Sequence, residues 1–130
     1  MKTATEELTG NALIWAVCHA LKLAPVVAKT GVAYRSEHGS WVYPRYTDDS
    51  EAGVLMASEW IGVERPSNGQ TPPQWRAVTD NKTAPDSMRF NPVVSAWGAS
   101  LGMAVCRALV LSRIGKTVDV PDELMARKSA

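Results

Sequence analysis

Metal-ligand spacing, nucleotide-hydrolysis motifs, long apolar runs and an excess of one charge are all missing from this chain, and each absence removes a class of function. Only two histidines occur in 130 residues. Neither His19 nor His38 stands in an H-x-x-x-H or H-x-[ST] pattern, so zinc hydrolysis and the paired-histidine phosphoesterase scheme lack their parts. There is no P-loop, no G-x-G-x-x-G after a strand and no G-x-S-x-G elbow, which sets aside the common kinds of nucleotide hydrolysis. The two cysteines, Cys18 and Cys106, fall inside helical patterns without ligand spacing and read as reduced core residues of a cytosolic protein. No metal and no cofactor is expected. The first ten residues, MKTATEELTG, carry acids where a signal peptide carries its apolar segment, and no apolar run spans a bilayer. A soluble intracellular protein without a membrane partner is expected. Fourteen basic residues against 13 acidic ones leave a net charge of +1, so the cationic field for nonspecific nucleic-acid binding is lacking and nucleic acid is disfavoured as a partner. Repeats and low-complexity segments are absent.

What is present suits one domain that buries roughly two thirds of its unfolded surface. Its centre is WGASLGMAVCRALVLSRIGKTVDV, from Trp97 to Val120. Ser100 is a good N-cap, Gly98 gives freedom just ahead of it and Gly115 suits the C′ position, so a helix is predicted between them. At about 100° per residue, Met103, Arg107, Val110, Leu111 and Ile114 share the inner face, with Val105, Leu109, Ser112 and Arg113 opposite. Arg107 thus points inward. Its guanidinium stays charged and needs an anion or carbonyls, supplied by the chain itself or by a ligand. Free N–H groups at the Gly98–Leu101 end attract phosphate or carboxylate, which puts Trp97, Gly98, Ser100 and Arg107 forward as ligand-binding residues. Apolar Val105 and Leu109 on the outer side imply cover by a second layer or by another subunit, hence a homo-oligomer.

Thr9 as N-cap, with Leu8 stapled to Leu13, starts a helix from about Gly10 to Lys22. Its inner stripe is Leu13, Ala16, Val17, Ala20 and Leu21. Trp15, Cys18, His19 and Lys22 lie on the other side, where Trp15 is out of place unless a second layer or another subunit covers it. Short β-prone runs follow at Val26–Ala28, Gly31–Arg35 and Ser40–Tyr43, separated by turns. Trp41 and Tyr43, two apart, share a strand face that either stacks a base or joins the core. Asp48, Asp49 and Glu51 form the one acidic cluster, a solvated turn or else a magnesium or base site. Gly53 reads as the beginning of a short helix or turn, Trp60–Val63 as extended, and Gln74–Val78 as a strand carrying Trp75. The segments 66–73 and 79–92 have loop composition, the second long enough for a binding flap. Thr117–Val120 alternates as a strand, and 122–130 begins with helix chemistry before becoming a polar, partly mobile tail. The expected fold is α+β, a small antiparallel sheet packed against two main helices.

Several of these strings resemble the NinX-like family of small tailed-phage proteins. LTGNALIWAV resembles that family's opening L-T-G-x-A-L-D-W-A-V. AVCRALVLSRIGKTVDVPDEL resembles its A-M-R-C-Y-V-A-S-K-L-G-D-E-V-E-V-P-E-E-L, with Arg107, Val110, Ser112, Gly115, Val118, Val120 and Pro121 at matching positions. Gly98 and Ser100 fall where the family has G-P-T-P. Tyr43, Thr47, Asp48 and Gly53 fit the spacing of Y-S-P-S-T-D-W-A-Q-G-G-P-I-I, continued by Leu55, Met56 and Ile61, and Trp75 with Ala77 matches W-x-A. The chain departs at Ile14, Arg45, Asp49, Ala52 and Val54, which leaves open the ligand of any site built from the central loop. The resemblance implies a phage accessory protein in the cytoplasm of the infected bacterial host, with no catalytic residues assigned.

Residues and resemblance together frame three alternatives. The first is a non-catalytic binder that sequesters a nucleotide-derived host immune signal, of cyclic ADP-ribose or cyclic dinucleotide type, through Arg107, Ser100, Gly98, Trp97, Tyr43, Asp48, Gly53 and Trp75. Five tryptophans exceed the needs of so small a core and can sandwich a base. The second is an inhibitor that docks on a host enzyme through Trp15 and Trp60. The third is a nucleotide-processing enzyme using the Asp48 to Glu51 loop.

Overall fold

The computed structural model describes residues 1–65, 74–82 and 93–128; the loop read at 66–73 and most of the flap read at 79–92 lie outside the described residues. In chain order the elements begin with β1 (Lys2–Ala4), a 3₁₀ turn (Thr5–Glu7), α1 (Gly10–Ala20), β2 (Val26–Ala28), β3 (Gly31–Arg35), β4 (Trp41–Val42) and α2 (Asp49–Glu59). They continue with β5 (Gly62–Glu64), β6 (Trp75–Asp80), β7 (Val93–Gly98), α3 (Leu101–Arg113), β8 (Thr117–Asp119) and α4 (Asp122–Lys128). The class is α+β, as expected. The strand content is divided, however, among three antiparallel sheets, β1-β8, β2-β3-β4 and β5-β6-β7. A third long helix, α2, joins the two expected.

Helix α3 is the centre of the molecule. The Ser100 hydroxyl accepts the Met103 N–H at 3.2 Å, and the chain leaves the helix through Ile114 to Gly115, whose φ of +126° suits a residue without Cβ. Sheet β5-β6-β7 covers one side of α3, while α1 and α2 pack on others. The covering strands present small residues inward: Ala77, Thr79, Ala96 and Gly98 are all buried, and a Cβ on Gly98 would come within 2.5 Å of the Ala104 nitrogen. Small residues let helix and sheet approach closely.

This double cover corrects the facing read from periodicity. Val105, Leu109 and Ser112, assigned to the outer side, are buried, while Met103, Arg107, Leu111 and Ile114 are only half-buried. The apolar outer side of α3 is filled by the chain's own layers, so it gives no argument for a second subunit. Cys18 moves inward for the same reason, because α1 packs against β3 as well as α3. Burial pushes both the Cys18 and Cys106 thiols up to about 12. Neither thiol is therefore expected to react with a disulfide reagent at pH 8 in the native protein, and both should react after denaturation. Because the folded pKa is raised, this contribution to stability is complete below the ordinary thiol pKa of about 8.5 and is lost as pH rises from there towards 12. An alkaline pH series of thermal melts measures that loss.

The chain's two ends meet. β1 pairs with β8, Thr3 opposite Val118, and the buried Thr5 hydroxyl donates to the Gly115 carbonyl at 2.6 Å. The segment read as a tail is helical from Asp122 to Lys128 and inserts Leu124 into the core. Helix α2 starts four residues before Gly53, placing that glycine on an exposed helical face with open space where a Cβ would stand. It ends at Trp60 in the left-handed region, φ +56° and ψ +53°, with that residue 88% exposed.

Candidate functional site

The residues put forward from sequence assemble at two places, and neither is the open cleft lined by Trp15 and His19. Trp75 pairs with Gly98 across β6 and β7, so Trp75, Trp97, Gly98, Ser100 and Arg107 gather around the entry to α3. There Arg107 donates from Nε to the Leu8 carbonyl at 3.1 Å and from Nη1 to the Trp97 carbonyl at 2.8 Å. Burial holds its guanidinium below its ordinary pKa, with Glu6 acting the other way, and it remains cationic. The positive charge put forward as a ligand contact thus ties the start of α1 to the end of β7. The helix entry is corrected likewise: Met103 N–H goes to Ser100, and Gly102 N–H donates to Asp49 Oδ1 at 3.1 Å. An anion from α2 occupies the position expected for a ligand phosphate.

Tyr43 and Asp48 line a separate cavity of about 270 Å³ with Arg45 and Thr47. Asp48 Oδ2 is held there by Arg45 Nε at 3.0 Å, so Asp48 and Asp49 each have a structural partner. Among the described residues no cluster of three His, Cys, Asp or Glu side chains is placed to hold a metal. Gly53 lies on the exposed side of α2, and Trp75 is half-buried with Arg65 at 5.7 Å over its ring. Trp41 and Tyr43 are exposed at 55% and 53%, so that strand face belongs to the surface and not to the core.

A different set of residues encloses the larger space. Trp15, His19, Ile114, Val118, Asp119, Val120, Pro121 and Met1 line an open cleft of about 550 Å³. His19 and Ile114 also line a second cleft, of about 360 Å³, together with Ala20, Lys22, Lys82 and Arg113. The two adjoin across these shared residues; taken together as a trough, they are apolar and aromatic at one end and basic at the other. Local structure explains the placement. Trp15 and His19 stand one turn apart on α1 and meet edge to face, centroids 4.9 Å apart. Lys22 follows in the left-handed conformation, φ +62°, just beyond the helix end. Lys82 is pinned beside the end of α3 because its N–H donates to the buried Ser112 hydroxyl at 3.3 Å, which itself donates to the Asp80 carbonyl.

Electrostatically the halves differ. Arg113 is paired with Glu59, whereas neither Lys22 nor Lys82 has a carboxylate partner among the described residues. The Trp15 indole nitrogen is buried with no acceptor among the described residues. An unsatisfied donor costs about 1–3 kcal/mol, and in native proteins such groups are usually completed by water or a ligand.

No protein-family model matches the sequence, and no curated protein matches it. Part of the trough's lining is legible in the sequence, where helical periodicity places Trp15, His19 and Lys22 together on the outer side of α1. What periodicity lacks is the opposing wall, since Ile114, Asp119 and Pro121 come from the far end of the chain.

Proposed function

We propose that this chain is a non-catalytic binder of a small aromatic anion, of nucleotide type, held in the trough through His19 and Ile114. The observation that carries the reading is the adjacency, across His19 and Ile114, of an aromatic, apolar pocket and a second pocket where Lys22 and Lys82 have no counter-ion among the described residues. A flat ring suits the Trp15, Ile114 and Pro121 end, and a phosphate suits the lysine end. Both pocket volumes lie in the range of about 300–1,000 Å³ usual for small-molecule sites. The resemblance to NinX-like tailed-phage proteins supports a setting in the cytoplasm of the infected bacterial host. There the ligand would be an immune signal of cyclic ADP-ribose or cyclic dinucleotide type, removed by sequestration.

Calorimetric titration with a panel of such nucleotides tests this. Binding at about micromolar Kd or tighter is expected, with the nucleotide recovered unchanged by chromatography. The double variant Lys22→Glu, Lys82→Glu should weaken binding at least about tenfold, while its melting temperature stays close to that of the parent because both side chains are exposed. No heat with any member of the panel overturns the reading.

One observation favours a second reading, docking on a host protein: Trp60 is 88% exposed at a helix end, and tryptophan anchors many interfaces. Stoichiometric recovery of one host protein, lost on Trp60→Ala, would select it. For self-association, the outer face of β7, where Val93 and Trp97 are both exposed, is a candidate surface among the described residues.

A further inference from the structure

We infer that the ring held in the trough is guanine, read by the carboxylate of Asp119; this rests on the nucleotide reading above and, of its two candidates, selects a guanine-containing cyclic dinucleotide over the adenine-containing cyclic ADP-ribose type. Asp119 is the acidic side chain lining the aromatic half, and the basic half has no carboxylate in its lining among the described residues. β8 places it there by alternation, with Val118 and Val120 buried on either side and Asp119 turned outward. The Met1 amino group donates to Oδ1 at 3.0 Å while also pairing with Asp122 at 3.2 Å; this exposed contact favours one placement of the carboxylate and leaves lone pairs on both oxygens, since an ionised carboxylate offers about four acceptor sites.

A carboxylate only accepts, so it selects a ring edge that only donates. Among the common bases guanine alone offers two neighbouring donors, N1–H and the exocyclic N2–H, in the parallel pair that matches two carboxylate oxygens. Adenine and cytosine set an acceptor nitrogen beside their amino group, and uracil flanks its single N–H with carbonyls, so each turns a lone pair towards Asp119. Charge-assisted pairs of this kind are among the stronger hydrogen bonds, and mismatching them leaves an acceptor facing an acceptor. The polarity of the trough agrees. With the ring edge at Asp119, the phosphates extend past His19 towards Lys22 and Lys82, away from the carboxylate that would repel them.

Titration of the full chain with GDP, IDP and ADP under identical salt tests the inference. GDP should bind at least about tenfold more tightly than ADP, with IDP, which lacks the exocyclic amine, in between. Asp119→Asn replaces one acceptor by a donor and should erase the preference for GDP over ADP. Its side chain is exposed, and a melting curve within a few degrees of the parent establishes that the variant folds. Equal or tighter binding of ADP, or an unchanged preference in Asp119→Asn, overturns the assignment of guanine while leaving the trough as a nucleotide site. Binding of none of the three, together with silence from the cyclic nucleotides, overturns both.

Discussion

Gly102→Ala is expected to lower stability by roughly 3 kcal/mol, the upper part of the range for overpacking, and the melting temperature by about 10 °C. A Cβ at this position would lie 2.5 Å from the Thr47 carbonyl carbon and closer still to its oxygen. Both neighbours are backbone, so no side-chain rotation relieves the overlap. Thr47 precedes α2, and Asp49 in the same segment accepts the Gly102 N–H, so the contact locks the start of α2 against the first turn of α3. Moving the segment away to admit a methyl group breaks that hydrogen bond and opens the core around Tyr46, whose carbonyl accepts from the Cys106 thiol. Gly53→Ala is the natural control. It sits in an exposed helical position with open space around it, where alanine is favoured over glycine by about 0.5–1 kcal/mol. Chemical denaturation of the two variants should shift in opposite directions. Equal shifts would mean that the Thr47 contact is not closely packed in solution.

The same pair of glycines shows what sequence can and cannot convey. Local signals serve well where structure is local. Strands Val26–Ala28 and Gly31–Arg35 stand where β-propensity and turn residues put them, and α1 and α3 begin at the caps read at Thr9 and Ser100. Gly53, read as the beginning of a short helix or turn, misleads as to where the helix starts, because a glycine after an acidic run looks like a boundary. The helix forms through it because Asp49 and Thr47 are fixed by α3, more than 50 residues away. β7 carries a period of two, Val93, Ser95 and Trp97 on one face with Val94 and Ala96 on the other, yet it goes unread because it is a short run between a stretch of loop composition ending at 92 and the helix entry that begins at Trp97. The pairing of β1 with β8 joins the ends of the chain, and no pattern within either strand announces it. For the site, residue types are a poor guide because main-chain carbonyls are invisible in a list of side chains. Periodicity marks Arg107 as a cation in need of acceptors, and the acceptors are two carbonyls at a half-buried position. It likewise marks Trp15 as anomalous, but the trough wall opposite comes from the other end of the chain.

Arg107→Ala separates the two roles by a measurable margin. Removing the guanidinium leaves the Leu8 and Trp97 carbonyls without their charged donor, at a half-buried junction between the start of α1 and the end of β7. Hydrogen bonds to charged groups contribute about 1.5–3 kcal/mol, and partial exposure trims each, so a total loss of about 2 kcal/mol is expected in denaturant unfolding. Arg107→Lys should restore less than half of it, since an ammonium group on a flexible stem cannot span two acceptors that a planar fork reaches from Nε and Nη1 together. Nucleotide affinity at the trough should stay within about twofold of the parent in whatever fraction folds, a free-energy change under about 0.5 kcal/mol on the scale where tenfold is about 1.4. The opposite pattern, full stability with affinity lost, would return the ligand to the α3 entry and remove it from the trough. The stability measurement and the titration therefore decide together, because a cation bonded to carbonyls supports the fold whether or not a ligand is present, whereas a cation awaiting an anion is destabilising until the ligand arrives.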